Sequence, residues 1–159
     1  MLAENTVLTG RRAITRSYAK INLTLDVLSK RENGYHDIKM IMQTVSLFDL
    51  ILVDKTHRGI SISTNLPYLP CNEKNIAYKA ADAFFKATGI RGGAKIVIHK
   101  NIPVAAGLAG GSGNCAAVLT AMNMLHGNPL SNDELMHIGA SLGADVPYCF
   151  DGGTQLAEG

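Results

Sequence analysis

The densest run of residues suited to chemistry is a glycine-rich segment, residues 103–113, which we term the glycine loop and which directly precedes a predicted helix. Glycine lets backbone amides turn towards a ligand without an intervening Cβ. The first turn of a helix adds unpaired N–H groups and the positive end of the helix dipole. This combination predicts an anion site suited to phosphate, with a flexible helix-entry loop as the alternative. The predicted phosphate-binding residues are Pro103, Val104, Ala105, Ala106, Gly107, Leu108, Ala109, Gly110, Gly111, Ser112 and Gly113.

Two nucleotide-binding motifs can be compared with the glycine loop. A Walker A motif needs Lys-Ser or Lys-Thr after its last glycine, but Gly113 is followed by Asn114 and Cys115, which excludes it. The stretch that starts at Gly111 does match the dinucleotide pattern G-x-G-x-x-A. However, the β-rich first half is not a βαβ unit, and the acidic residue near the required spacing, Asp133, belongs to a helix-capping motif. A Rossmann oxidoreductase is therefore the less favoured interpretation.

Two charged residues outside the glycine loop could act on a phosphate or a hydroxyl. Lys20 and Asn22 alternate along a predicted strand, so they share a face and could contact one ligand. Lys20 would neutralise phosphate as a point charge, although an ordinary solvated strand face gives the same pattern. Asp145 stands before Val-Pro and is either a helix N-cap or a general base that accepts a hydroxyl proton. A nearby lysine would favour its charged form and orient it.

An aromatic pair follows the turn that Asn33 and Gly34 predict. Tyr35 and His36 could stack on a base or a sugar, or they could simply pack beside the turn. The remaining histidines and the cysteines show no metal-ligand spacing, so no protein metal site is predicted.

The elements that must position these residues begin as strands. Alternation predicts a strand over 21–27, a longer one over 38–53 that is broken near Asp49, and a short one over 60–64. In the first strand, the apolar face would carry Ile21, Leu23, Leu25 and Val27, and the polar face Lys20, Asn22, Thr24 and Asp26.

Helices dominate the second half. Asn75 is a predicted N-cap for a helix that reaches about Thr88 and stops at Gly89. A strand over 95–100 follows, and then an apolar helix over 114–126. The run 131–134 reads Ser-Asn-Asp-Glu, a capping box for a helix ending at 143, and a turn or short helix and a strand over 154–157 close the chain. Strands first and helices later predict an α+β fold.

Composition limits the class of protein. The chain has 159 residues, of which 47% are apolar and 18% charged, which indicates one globular domain. A net charge of +2 is too balanced for a dedicated nucleic-acid binder, and no apolar run is long enough to span a membrane. Three scattered cysteines predict a reducing compartment, the cytoplasm. Residues 1–16 are predicted to be a leader or an edge strand.

Together and in this order, the motifs resemble the GHMP kinase superfamily. The resemblance rests on the segments 19–25, 33–36, 103–113, 142–147 and 152–159. It implies a fold like ribosomal protein S5 domain 2, an α+β mixed sheet packed against helices with a left-handed crossover. It further implies that 17–159 form the N-terminal, ATP-binding domain of such a kinase and that the C-terminal domain of the family is absent. A boundary left by that domain would promote self-association.

The resemblance also implies a function: ATP- and Mg²⁺-dependent phosphorylation of a hydroxyl on the methylerythritol part of a cytidine diphosphate substrate, a step of non-mevalonate isoprenoid biosynthesis. In that role Asp145 would be the base and Lys20 its charge partner, and the glycine loop would wrap the ATP phosphates. Asn22 would contact the substrate, and Tyr35 and His36 would hold its cytosine end.

This chain departs from the family pattern at three positions of the glycine loop. The family commonly has glycine where Ala105 and Ala109 stand, and serine where Gly113 stands. An added Cβ at Ala109 would press on phosphate or shift the loop, and the lost serine hydroxyl removes one contact to phosphate or Mg²⁺. A non-catalytic nucleotide-binding or protein-interaction module that keeps the fold is therefore the alternative function.

Overall fold

The computed structural model describes residues 2–30 and 36–158, which form one mixed sheet and four helices. In chain order the elements are β1 (Thr6–Thr9), β2 (Arg12–Lys30), β3 (His36–Thr56), β4 (Gly59–Thr64), α1 (Ile76–Thr88), β5 (Gly93–His99), α2 (Gly110–Leu125), α3 (Asn132–Leu142), α4 (Val146–Asp151) and β6 (Thr154–Glu158). The spatial order of the sheet is β1-β2-β3-β5-β4, with β6 paired to the other part of β3. Among the described strands, only β4 and β5 run parallel to each other, and they are connected through α1.

The core lies between α2 and one face of the sheet. The sheet contributes alternate residues to it, among them Ile51, Val53 and Ile96. Helix α2 is buried over a continuous run from Gly113 to Asn123, as expected for a helix that is enclosed on all sides. The sheet covers one side of it and α1, α3 and α4 the others. The predicted α+β fold, with a mixed sheet against helices, is confirmed.

Local signals account for two of the helices. Asn75 caps α1 by accepting a hydrogen bond from the Ala77 N–H (3.0 Å), and Gly89 ends it with a left-handed φ of 67°. Ser131 and Glu134 form the predicted capping box of α3, in which each side chain accepts from the other residue's backbone N–H.

Helix α2 begins at Gly110, so the predicted start at Asn114 is wrong. The Gly113 N–H already donates to the Ala109 carbonyl (2.8 Å), which closes the first helical turn inside the glycine loop. Glycine has a low helix propensity, but this helix is buried among its neighbours, and tertiary packing overrides propensity.

Strand β3 is continuous, so the predicted break near Asp49 is also wrong. The Asp49 side chain is fully buried, and its carboxylate accepts hydrogen bonds from the backbone N–H groups of Asn101 (2.8 Å) and Ile102 (2.9 Å). Because these donors satisfy the carboxylate, the aspartate does not interrupt the strand.

A β-bulge at Leu23 changes which residues of β2 share a face. Asn22 lies opposite Met42, and Leu25 lies opposite Met40, so one residue of β2 has no counterpart in β3. Opposite residues and alternate residues share a face, so Leu25 lies on the face of Asn22. The predicted separation of an apolar from a polar face is therefore wrong beyond Leu23.

The sheet extends past its helices. We term residues 23–30 of β2, residues 36–41 of β3 and β6 the distal arm, and the rest of the sheet with its helices the helix-backed region. The distal arm exposes the large apolar side chains Leu23, Leu25, Val27, Leu28 and Leu156. At the N-terminal end of the described chain, Leu2 is buried and its N–H donates to the Phe150 carbonyl (3.2 Å). None of the described helices has the length and hydrophobicity of a membrane span.

Candidate functional site

The first turn of α2 faces a cavity of about 490 Å³. Ala109 holds the N-cap position without a side-chain capping bond, so its side chain satisfies none of the N–H groups of that turn. The glycine loop lines the cavity from Pro103 to Ser112, and α1 contributes Ile76 from the other side. This arrangement gives the cavity the backbone donors and the positive helix end that an anion requires.

Gly113 is the exception among the predicted phosphate-binding residues, because it does not line the cavity. A Cβ at Gly113 would lie 2.5 Å from the Ser17 Oγ of β2, so the residue faces the sheet. A side chain at this position would require Ser17 to move, so glycine fits the close approach of strand and helix.

Two alanines of the glycine loop adopt a backbone conformation that favours glycine. Ala105 has a φ of 58° and Ala109 a φ of 55°, close to the 72° of Gly107. The loop therefore keeps the left-handed turns that glycine would make, at a conformational cost of about 1 kcal/mol for each alanine.

Lys20, Asn22 and Asp145 come together beside this cavity, although they are far apart in the sequence. The Lys20 Nζ lies 3.7 Å from the Asp145 Oδ2 and donates to the Asn22 Oδ1 (2.9 Å). Lys20 is almost fully buried, whereas Asp145 is partly exposed and lines the cavity. The lysine can thus orient the carboxylate while the carboxylate stays accessible to a ligand.

The backbone ties Lys20 to the glycine loop. The Lys20 N–H donates to the Leu108 carbonyl (3.1 Å), a bond from β2 to the loop. The ladder between β2 and β3 is irregular just before Lys20, so this strand position can bond outside the sheet.

Asp145 occupies the N-cap position of α4 but makes no side-chain capping bond. Its carboxylate is directed to Lys20 instead, which disfavours the purely structural interpretation. The short helix is held to β3 by Tyr148, whose hydroxyl donates to the Gly153 carbonyl (2.7 Å) and lies 2.9 Å from the Thr44 hydroxyl. Thr44 is the partner of Lys20 in the ladder, so this contact fixes α4 next to the lysine.

The structure does not bring His36 to this cavity. His36 is the first residue of β3, at the end of the distal arm that is remote from Lys20. Tyr35, together with the predicted turn before it, lies outside the described residues. Their assignment to a substrate stays a prediction.

Sequence reasoning missed a buried charged pair beneath the glycine loop. Asp49 and Lys100 form an ion pair, and both side chains are at most 5% exposed. A signal was present: Asp49 continues the core-facing series of Ile51, and Lys100 continues that of Ile98. A charged residue in a core-facing series is rare and needs a partner.

Cysteine chemistry does not fit this site. Burial raises the pKa of Cys115 to about 12, and burial together with the negative charge of Asp145 raises the pKa of Cys149 to about 12. Neither thiol is therefore a nucleophile near neutral pH. Within the described ranges, no group of three or more His, Cys, Asp or Glu side chains is placed to hold a metal ion.

Comparison with known proteins adds independent information. Residues 75–153 match the family described as the GHMP kinases N terminal domain. The chain is 53% identical over 144 residues to a protein of Clostridium botulinum (strain Alaska E43 / Type E3) named 4-diphosphocytidyl-2-C-methyl-D-erythritol kinase, covering 91% of this chain and 51% of the relative. A protein of the same name from Clostridium perfringens (strain ATCC 13124) is 54% identical over 145 residues, covering 91% and 50%. The chain thus spans about half the length of the curated relatives it matches.

Solved structures give the same result. A crystal structure of 4-(cytidine 5'-diphospho)-2C-methyl-D-erythritol kinase superposes with a TM-score of 0.82 at 36% identity, covering 92% of this chain and 52% of the other. The mevalonate kinase of Methanococcus jannaschii superposes with a TM-score of 0.71 at 16% identity, covering 95% and 55%, which bears on the fold alone. By the family match, the identity to these relatives and the shared fold, the chain belongs to the GHMP kinases.

Proposed function

We propose that this chain acts in the ATP-dependent phosphorylation of a hydroxyl of 4-diphosphocytidyl-2-C-methyl-D-erythritol, a step of non-mevalonate isoprenoid biosynthesis. The observation that carries the proposal is the Lys20–Asp145 pair, 3.7 Å apart, beside a cavity lined by the glycine loop. The names of relatives that are 53% and 54% identical support the choice of substrate.

The residues around the cavity fit ATP. The uncapped first turn of α2 offers backbone donors to phosphate, and Gly110 and Gly111 of that turn line the cavity. The cavity of about 490 Å³ is within the usual range for small-molecule sites. We therefore assign the ATP phosphates to the glycine loop.

Mg²⁺ would accompany the nucleotide. Magnesium is usually held by one or two carboxylates together with substrate phosphates, so a cluster of protein ligands is not needed. When bound, Mg–ATP supplies the transferred phosphoryl group and neutralises charge that develops on it.

The chain's own residues then have distinct roles. Asp145 accepts the proton of the attacking hydroxyl, for which its partly exposed carboxylate is available. Lys20 orients that carboxylate and adds a positive charge where the phosphoryl group is transferred. Asn22, which Lys20 holds by a hydrogen bond, contacts the substrate, and Tyr35 and His36 hold its cytosine end. Phosphoryl transfer depends mostly on such positioning and charge stabilisation.

The test is turnover of ATP with this substrate in matched variants. Asp145→Asn and Lys20→Met should each lower turnover at least about 100-fold, the usual contribution of a positioned acid–base group. Asp151→Asn is the control, because Asp151 is an exposed carboxylate on the same short helix. Turnover that responds to neither Asp145 nor Lys20 would contradict the proposed roles.

A non-catalytic nucleotide-binding module is the second candidate. The observation in its favour is the left-handed conformation of Ala105 and Ala109, where methyl groups stand at positions of the loop that glycine commonly fills. Calorimetry with Mg–ATP separates the candidates. Binding without turnover supports the module, and no binding contradicts both.

We also propose that the protein works in the cytoplasm. Cys71 is an exposed free thiol, and Cys115 and Cys149 are free as well. Exposed free thiols persist in reducing compartments and tend to be oxidised elsewhere. Export of the intact protein to an oxidising compartment would contradict this.

A further inference from the structure

The buried pair of Asp49 and Lys100 has no role in the mechanism above, although it lies directly beneath the glycine loop. The Asp49 Oδ1 accepts from the Asn101 N–H (2.8 Å) and the Ile102 N–H (2.9 Å), the residues that lead into the loop. The Oδ2 accepts from the Lys100 Nζ. One carboxylate on β3 therefore fixes the entry of the loop.

The same carboxylate reaches the exit of the glycine loop. In the amide orientation that its neighbours require, the Asn114 Nδ2 donates to the Asp49 Oδ2 (2.9 Å) and to the Gly110 carbonyl (3.1 Å). Asn114 belongs to the first turns of α2 and is buried. The aspartate thus bonds to residues on both sides of the loop.

Lys100 supports the first residue of α2 from below. A Cβ at Gly110 would lie 2.8 Å from the Lys100 Nζ, so helix and ammonium group are in direct contact. The pair is also electrically balanced. An unpaired carboxylate here would reduce the positive potential that the N-terminus of α2 offers to a bound anion, and the positive charge of Lys100 offsets it.

We infer that Asp49 is a positioning residue that holds both ends of the glycine loop in the shape that binds triphosphate. The inference rests on the proposed function. Stability alone does not account for the pair, because a buried ion pair contributes little more than an apolar pair of similar size. Four donors from the loop's two flanks converge on one carboxylate, and this convergence sets a geometry that an apolar pair would not set.

Two double variants that keep the net charge test this inference. Asp49→Leu with Lys100→Met removes every acceptor for the loop, whereas Asp49→Asn with Lys100→Met keeps one oxygen for the Asn101 and Ile102 N–H groups. Lys100 is changed in both, so any direct contact between Lys100 and ATP cancels in the comparison. Asp54→Asn is the control, because Asp54 lies on the same strand and pairs with Arg12 on the surface.

Hydrogen exchange without nucleotide and calorimetry with Mg–ATP are the readouts. In the Leu variant, amide exchange at 101–113 should rise, and the Kd for Mg–ATP should rise about tenfold, the size expected when hydrogen bonds to a charged group are lost. Exchange in α1 and α3 should stay unchanged. In the Asn variant, Asp49→Asn with Lys100→Met, both the exchange at 101–113 and the Kd should return most of the way to the values of the unmodified chain.

Other results would overturn the inference. Equal amide exchange at 101–113 and an equal Kd for Mg–ATP in the Leu and Asn variants would mean that the acceptor oxygen has no role. A uniform rise of exchange that includes α1 and α3 would mean that the pair acts only through global stability. Absence of Mg–ATP binding by the unmodified chain would contradict the proposed function alone, since exchange tests Asp49 without nucleotide.

Asn114→Ala tests the exit of the loop by itself if the Leu variant does not fold. It removes the Asn114 bonds to Asp49, to the Gly110 carbonyl and to the Ser17 Oγ (3.2 Å) and leaves the bonds from Asn101 and Ile102 in place, so exchange should rise at 110–113 and stay unchanged at Asn101 and Ile102. Unchanged exchange at 110–113 would contradict the role of Asp49 at the exit of the loop.

Discussion

Strands β2 and β3 each run through two regions, and their apolar side chains are buried in one region and exposed in the other. In the helix-backed region, Ala13 of β2 and Ile51 of β3 are fully buried beneath the helices. In the distal arm, Leu25 and Val27 of β2 are 51% and 60% exposed. Strand pattern is similar in both regions, so the cover of helices, and not alternation, decides which apolar residues form the core.

The candidate site lies where the two regions meet. Lys20 is the last buried residue of β2 before the exposed distal arm, and Asp145 stands at the start of the last helix. A ligand there would contact the packed helix-backed region on one side and would stay accessible from the other. Sites supported by a packed scaffold keep their geometry.

Truncation of one apolar side chain in each region should give the largest difference in stability between the two regions. Phe84 is fully buried and packs edge-to-face against His126, with ring centroids 5.4 Å apart. Phe84→Ala should lower the free energy of unfolding by about 3–5 kcal/mol, because it leaves a cavity. Leu25→Ala should lower it by less than about 1 kcal/mol. Urea unfolding measures both, and similar losses would show that the distal arm is packed as a core.

The glycine loop, which leads into α2 of the helix-backed region, allows a smaller test. Gly107 has a φ of 72° and no atom within 4 Å of an added Cβ, so Gly107→Ala changes only backbone strain. It should lower the free energy of unfolding by about 1–2 kcal/mol. Ala109→Gly should raise it by less than about 1 kcal/mol, because glycine also gains entropy in the unfolded chain. Thermal unfolding of both variants is the measurement, and a stabilising Gly107→Ala would contradict the left-handed loop.

How far the sequence predicts this structure depends on the range of the interaction. Asn75, Gly89 and the capping box at Ser131 were predictable, because a cap is decided by neighbours within one helical turn. The bulge at Leu23 was not, because it depends on the register with a partner strand. The Asp49–Lys100 pair joins residues distant in sequence, and only their position in core-facing series hinted at it.

The site follows the same rule. Each motif was visible by itself, and the resemblance supplied the roles, but the 3.7 Å separation of Lys20 and Asp145 required the fold. The position of Gly113 against Ser17 was equally hidden, because strand and helix meet there only through tertiary packing.

Surface ion pairs should show the smallest difference between the regions. In the helix-backed region, Arg12 donates to both oxygens of Asp54 (2.6 and 2.9 Å), and this bonding lowers the pKa of Asp54. A lowered pKa in the folded state means that the pair stabilises above the unfolded pKa of about 4, and that this stabilisation is lost as the pH falls through the folded pKa. The contribution should be small, because solvent screens a pair that is this exposed.

The matched pair in the distal arm is Lys39 with Glu158 (2.7 Å), both about half exposed. Urea unfolding between pH 7 and pH 2 should show a pH-dependent loss, and Asp54→Asn should remove the part of it that this carboxylate contributes. At pH 7, Glu158→Gln should lower the free energy of unfolding by no more than Asp54→Asn does. A larger loss with Glu158→Gln would mean that the distal arm holds the stronger surface pair.

The most direct measurement for the whole account is an NMR titration of the chain with a non-hydrolysable Mg–ATP analogue. The account predicts that the amide signals of Gly110 and Gly111, of Lys20 and of Asp145 shift together with a single Kd. Signals of Lys20 and Asp145 that stay unchanged while the analogue binds elsewhere would contradict a common triphosphate site.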